Sequence, residues 1–424
     1  LMEQCMLTKN GIPVYSYPNQ HLHSFCLCMY VKAGSMYEKK QENGIAHFYE
    51  HVVIRNINSL MKGQFYKILD RLGLSFNGAT YKEFVQFSIS GAAEHWNEAA
   101  EIFVKLFEPL ILSEEEVATE RKRVKAEIRE CEKKKSAERQ MERTVWKGTS
   151  LTQTIAGKKK NLERTGKKAL SEYRKQFLSA GNLFLYVTGR CSQENLGYLR
   201  SLLEQSEWYE AGTKRMNLAP VPESFFHRSI KPVLIKGGET ELAVSFDVDT
   251  SRYTDAMLCL FYDMLFVGDY CRMYQELSEK TGYIYSYDDR FERYKNLGSL
   301  QLSYEVSSGK LIKAFQKTME VFREMKHSPG SLEYVRAIYV DNGDMALDDA
   351  DDFNWNRAYD CHILDEEYPD IERKKEAFQR VTEKDMARMA REIFRPENMV
   401  TVIKGSKKKI PMEKIKGLIQ TLAE

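Results

Sequence analysis

With 424 residues the chain is long enough for two or three domains of roughly 150 residues each, and a composition of 43% hydrophobic and 29% charged residues excludes wholesale disorder. A formal charge of +2, from 63 Lys and Arg against 61 Asp and Glu, argues against a dedicated nucleic-acid binder, which is far more basic. No apolar run reaches the roughly 18 residues of a membrane span, and residues 1–19, interrupted by Glu3, Lys9 and Pro13, lack the apolar stretch of a signal peptide. The eight cysteines are scattered. Only Cys26 and Cys28 are close, on one face of a strand and too far apart for an easy disulfide, so free thiols and a cytoplasmic location are expected.

In chain order, residues 12–17 and 25–32 alternate as strands do. A helical period follows over 44–57, with Ile45, Phe48, Val52 and Val53 on its apolar face, and a second helix is expected over 64–72. Residues 84–90 read as a strand closed by Gly91, 94–107 as helix, and a long charged helix starts near Ser113, where Glu116 three residues on completes a capping box. Helix over 166–178 and strand over 183–188 end the first half. The order helix, Asn182, strand, Gly189 then recurs 216 residues later as helix, Asn398, strand, Gly405, and Phe48-Tyr49-Glu50 has an echo in Phe261-Tyr262-Asp263. Such recurrence predicts an internal duplication. The expected domains are 1–211 and 232–424, joined by a linker at 212–231 that Pro220, Pro222 and Pro232 mark.

His47-Phe48-Tyr49-Glu50-His51 carries the most chemistry. On a helix His47 and His51 lie one turn apart on one face, so both rings can reach one ion, with Glu50 beside them. This H-x-x-E-H order is a zinc-peptidase signature, although a short string of this kind also occurs in proteins that bind no metal. A catalytic zinc needs a third protein ligand and one open position. On the charged helix, Val117, Glu120, Val124, Glu127, Ile128 and Cys131 trace one stripe, an apolar face holding two carboxylates that burial would penalise unless a cation or hydrogen bonds compensate them.

With these residues the chain resembles the insulinase/pitrilysin/mitochondrial-processing-peptidase superfamily, the inverzincin metallopeptidases. In that family a glutamate about 75 residues past the motif completes the zinc site and another lies seven before it; Glu127 and Glu120 stand at those positions. Asn77-Gly78-Ala79-Thr80 is similar to the family's turn into its substrate-binding strand, and the resemblance spans essentially the whole first half, more weakly the second. It implies one Zn2+ per chain held by His47, His51 and Glu127, Glu50 as general base, and Glu120 orienting His51. It implies a peptide substrate added as a β-strand along residues 84–90, touching Asn77, Phe84, Val85 and Phe87. Family members also carry an Arg and, seven residues later, a Tyr that hold substrate. Here Tyr285 is present but Ser278 replaces the Arg, so either Arg272 substitutes or a homologous partner subunit, in a homo- or heterodimer, supplies the Arg-Tyr pair.

The expected fold class is α+β: two homologous domains, each an antiparallel sheet with helices on one face, forming a half-clamshell with one zinc site. The expected activity is zinc-dependent endoproteolysis, either leader processing of a small peptide such as a bacteriocin together with a partner, or general degradation of oligopeptides. A scaffold subunit of the same fold is the non-enzymatic alternative. Neither nucleic acid nor a membrane span is expected.

Overall fold

Period-two alternation builds the centre of each half of this computed structural model, which describes residues 2–133, 136–206, 232–330, 332–366, 368 and 370–424. The first half runs β1 (Gln4–Leu7), β2 (Pro13–Pro18), β3 (Ser24–Val31), α1 (Ile45–Leu60), α2 (Phe65–Leu72), β4 (Ser75–Thr80), β5 (Val85–Ala92), α3 (Trp96–Phe103), α4 (Glu114–Lys133), α5 (Ala137–Val145), α6 (Lys159–Leu162), α7 (Lys167–Phe177), β6 (Leu183–Gly189) and α8 (Gln193–Glu204). The second runs β7 (Val233–Lys236), β8 (Glu241–Val248), α9 (Asp255–Phe266), α10 (Arg272–Tyr274), β9 (Asp288–Arg293), β10 (Gly298–Glu305), α11 (Leu311–Met325), α12 (Leu332–Val340), α13 (Ala350–Ala358), α14 (Ile371–Arg380), α15 (Glu383–Ile393), β11 (Met399–Gly405) and α16 (Met412–Gln420).

Among the described residues the strands form two sheets, ordered β1-β2-β6-β3-β5-β4 and β7-β11-β8-β10-β9. Without β1 the two orders coincide, which is the duplication expressed as topology. Each sheet is antiparallel except for one parallel pair, β2 with β6 and β7 with β11. The repeated asparagine does the same work in both halves. Asn182 donates to the Phe177 and Lys32 carbonyls, and Asn398 to the Ile393 and Asp247 carbonyls, so each ties the last turn of a helix to the end of the central strand.

Phe25, Leu27, Met29 and Val31 of β3 point into the first core, where they meet Phe48, Val52 and Val53 of α1 and Ala99 and Phe103 of α3. Each of the Val, Leu, Met and Phe side chains, fully buried, contributes roughly 1.5–3 kcal/mol. The alternate residues Cys26, Cys28 and Tyr30 are also buried, on the opposite face. What covers them comes from the other half of the sequence. The chain divides into two units, and the first takes residues 344–362 while the second takes 135–147. Asn354 of α13 is fully buried against the first sheet, donating to the Cys26 and Tyr186 carbonyls and accepting from the Tyr30 hydroxyl at 3.0 Å. Reciprocally, Trp146 after α5 donates to Glu292 on β9 at 3.0 Å. The two units therefore depart from a simple division at the middle of the chain, and the linker expected at 212–231 lies outside the described residues.

The N-terminus of α1 is held by a buried carboxylate far from any local capping pattern. Glu38 accepts from the backbone N–H groups of Gly44 and Ala46, both at 2.8 Å, and from Asn43 Nδ2 at 2.7 Å, where a negative charge suits the helix dipole. Burial nevertheless pushes its pKa up to about 7, against the lowering effect of those donors. With the folded value above the ordinary one, the stabilising contribution is complete below about pH 4.5 and is lost as pH rises through 7. We expect stability to fall by on the order of 3 kcal/mol across that window from this group. Glu38→Gln should flatten the slope in melts taken from pH 4.5 to 8, and an unchanged slope would refute the assignment.

Candidate metal centre

α1 and α4 pack against each other, and their facing side chains build the site. The left-handed backbone at Gly44 (φ 107°) lets it meet Gly157 with no room for a Cβ on either, which sets Ala156 beside the first turn of α1. At the start of α4, Ser113 and Glu116 exchange the expected capping hydrogen bonds at 3.2 and 2.8 Å.

His47 Nε2 and His51 Nε2 are 3.3 Å apart. Glu127 reaches across from α4, one carboxylate oxygen 3.6 Å from His47 Nε2 and the other 3.5 Å from His51 Nε2. Metal bonds of about 2.0–2.2 Å at tetrahedral angles put ligand atoms about 3.3–3.6 Å apart; with each histidine meeting its own Glu127 oxygen, the donor types and their closeness suit a zinc ion. Among the described residues it is the one group of three or more His, Cys, Asp or Glu with such closeness. His47 is buried and His51 half-buried, whereas Glu127 is 47% exposed. The stripe reading placed Glu127 on the buried face of α4; it stands instead at the rim, where Val117, Glu120, Val124 and Ile128 are the buried members.

Glu120, 2% exposed, accepts at 3.2 Å from His51 Nδ1 and is flanked by Arg55 and Arg123, each at 3.4 Å. Burial raises its pKa, but the His51 hydrogen bond and the Arg123 charge outweigh burial and hold it below the usual carboxylate range. The same carboxylates work on the histidines. Burial favours neutral His51, yet the Glu120 hydrogen bond and the charges of Glu50 and Glu127 hold its pKa above the ordinary value. At His47 burial prevails, helped by the His51 charge, and the pKa is lowered.

Glu50 is 7% exposed and is not among the three ligand-type residues. Thr80 donates to its Oε2 at 2.7 Å, and burial raises its pKa in spite of that bond. Gly78 on β4 leaves room for the Glu50 side chain, since a Cβ there would stand 2.9 Å from Glu50 Cγ and 3.1 Å from Ile54 Cδ1. Beyond it a cleft of about 440 Å³ is lined by Glu50, His51, Ile54, Tyr66, Asn77 and Arg123.

The expected peptide-binding strand is corrected. β5 is hydrogen-bonded to β3 on one side and β4 on the other, so residues 84–90 offer no edge. Phe84 and Val85 are 2% exposed and Phe87 is 1% exposed, and none can touch a peptide added to the sheet. Among the described residues, the edge strand on this side of the sheet is β4, with Asn77 exposed on it beside the cleft; β1 is the edge on the far side. Its sequence Ser-Phe-Asn-Gly-Ala-Thr, poor in β-branched residues, was the available signal for an edge.

Among the described residues the second half has no counterpart of the metal group. Leu260 and Met264 occupy the positions equivalent to the two histidines and are fully buried, while Asp263, at the position of Glu50, accepts from Tyr339 at 2.6 Å and is pushed by burial up to about 6. Tyr285 lies in the second unit, 95% exposed, and Ser278 Oγ donates to its carbonyl at 3.4 Å. Arg272 donates to the Ser328 and Pro329 carbonyls at 3.2 Å and pairs with Glu324.

Comparison with known proteins gives concordant results. Residues 15–159 match the family described as Insulinase (Peptidase family M16), and residues 166–339 match its Peptidase M16 inactive domain. A protein from Rickettsia felis named an uncharacterized zinc protease is 24% identical over 340 residues, 78% of this chain and 79% of its own. The mitochondrial-processing peptidase subunit beta of Mus musculus is 26% identical over 172 residues, 40% of this chain and 35% of its own. The crystal structure of a protease from Helicobacter pylori superimposes with a TM-score of 0.82 at 17% identity, covering 95% of this chain and 99% of the other.

Proposed function

The chain belongs to the insulinase family of zinc metallopeptidases, and from that premise we propose that it is a zinc-dependent endopeptidase acting on extended peptides. The observation that carries this reading is the His47–His51–Glu127 triangle with Glu50 beside it and outside the ligand set. His47, His51 and Glu127 would hold Zn2+, whose Lewis acidity polarises a peptide carbonyl and activates water. Glu50, whose pKa burial raises, takes a proton from the attacking water and returns it to the leaving amine. β4 aligns the substrate by main-chain hydrogen bonds, with Asn77 beside the cleft.

Glu120 is a positioning residue, fixing the His51 ring from the side away from the ligand atom. Glu120→Gln is expected to weaken zinc binding about 10–100-fold, read by competition with a chelator; unchanged affinity would remove that role.

Ser278 in place of the family arginine, and the engagement of Arg272, support a processing peptidase that works with a homologous subunit, itself supplying the Arg-Tyr pair. A bacteriocin-type leader is the substrate class this favours. A relative named as a subunit supports the same arrangement. The described cysteines are all free thiols, which suits the cytoplasm. Mass-spectrometric digestion of an unstructured peptide pool by the zinc-loaded chain tests these readings. Cleavage by the chain alone would support a self-sufficient oligopeptidase. Full zinc occupancy without cleavage would support the partner, and absence of both zinc and cleavage would leave only a scaffold.

A further inference from the structure

A strand added to β4 places alternate side chains on opposite faces of the sheet. The inner face is the cleft over α1. The outer face is fixed by register: Ala79 pairs with Gln86 and Asn77 with Ser88, and Gln86 donates to the Tyr30 hydroxyl at 3.2 Å, on the side covered by α13. Ala79 is small and Asn77 is exposed, so a neighbouring side chain on an added strand has room there.

At the end of β4 toward Glu50 this outer face carries an aromatic shelf. Tyr81, next to the threonine that holds Glu50, stacks on Phe84 with centroids 4.7 Å apart and lies 4.9 Å from the ring of Trp355. Tyr359 stacks on Trp355 at 5.7 Å and 12°. Phe84 is the buried floor, while Tyr81, Trp355 and Tyr359 are each half-buried and present ring surface. Tyr81 is close enough to the catalytic base that the Glu50 charge adds to burial in raising its phenol pKa. The helix carrying Trp355 is anchored at its neighbour Asn354 by the hydrogen bonds described above, and the Trp355 ring itself packs 5.6 Å from Phe84.

We propose that Tyr81 and Trp355 form a subsite for a large apolar side chain, aromatic or aliphatic, of the peptide substrate, on the outer face of the edge strand and beside the scissile bond. The occupant follows from continuity: the shelf extends the same edge that receives the peptide backbone, and its rings offer area without charge. The inference rests on the peptidase reading and deepens it, since the residue that selects substrate comes from a helix contributed by the second half of the sequence.

The test is the cleavage-site profile of the zinc-loaded full chain on an unstructured peptide pool, beside Trp355→Ala and Trp355→Leu, with zinc content measured for each. The wild type should enrich Phe, Tyr, Trp, Leu or Met at one position fixed relative to the cut. Trp355→Ala should reduce that enrichment about tenfold, and Trp355→Leu should shift it from aromatic toward aliphatic residues. A wild-type profile without apolar preference, or a preference that survives Trp355→Ala, overturns the subsite while leaving the peptidase reading intact. Should the chain cut only with a partner, binding of matched Phe- and Ala-containing peptides to the Glu50→Gln chain gives the same comparison. A chain that neither binds nor cuts peptides overturns both.

Discussion

Glu50→Gln is expected to lower peptide cleavage by a factor on the order of 10²–10⁴ while zinc stays at one ion per chain. The substitution keeps the side-chain shape that fits under Gly78, so α1 and β4 remain in register. It removes the only function that separates Glu50 from its neighbours, since the ligand-type atoms belong to His47, His51 and Glu127. Thr80 holds one Glu50 oxygen and leaves the other to work on water. Because burial raises the Glu50 pKa, the acid limb of the activity profile should lie above the ordinary carboxylate range. Activity should fall as pH drops through that limb, where Glu50 takes up a proton and can no longer accept one. Steady-state kinetics with parallel zinc analysis check this. Loss of zinc together with activity would move Glu50 from base to ligand.

His51→Ala should have the largest effect on metal, taking zinc from one ion per chain to near none. Two donors would remain, His47 and Glu127, and Glu127 is the exposed member. The variant also strands Glu120, a buried carboxylate left with Arg55 and Arg123 alone, at a cost in stability of about 1–3 kcal/mol. Elemental analysis and a thermal melt read the two consequences separately. Retention of one zinc would place the metal elsewhere. Retention of about half an ion would mean that His47 and Glu127 alone still hold zinc weakly.

The grouping of His47, His51 and Glu127 was legible because its information is local. One helical turn separates His47 from His51, a period fixed by covalent geometry, and the capping box at Ser113 sets the phase of α4. Phase alone did not give depth: Glu127 shares a stripe with buried residues but stands at its margin. The duplication was equally legible, since Asn182 and Asn398 anchor the same junction in both halves.

What escaped the sequence depends on partners distant along the chain. Alternation in residues 84–90 is the same whether a strand is central or marginal, so placing substrate there confused an interior strand with the edge, β4. Phe84, read as touching substrate, is instead the floor under Tyr81 and Trp355. The exchanged helices α5 and α13 have ordinary patterns, and nothing in an amphipathic period states which sheet a helix will cover. Glu38 caps a helix that begins several residues later, outside any local capping motif.

Zinc-edge X-ray absorption on the zinc-loaded full chain tests the central claim most directly. The arrangement predicts one ion with nitrogen and oxygen neighbours at about 2.0–2.2 Å, two of them imidazoles, and loss of the imidazole signature in His51→Ala. Sulfur neighbours, or a spectrum that His51→Ala leaves unchanged, would contradict it.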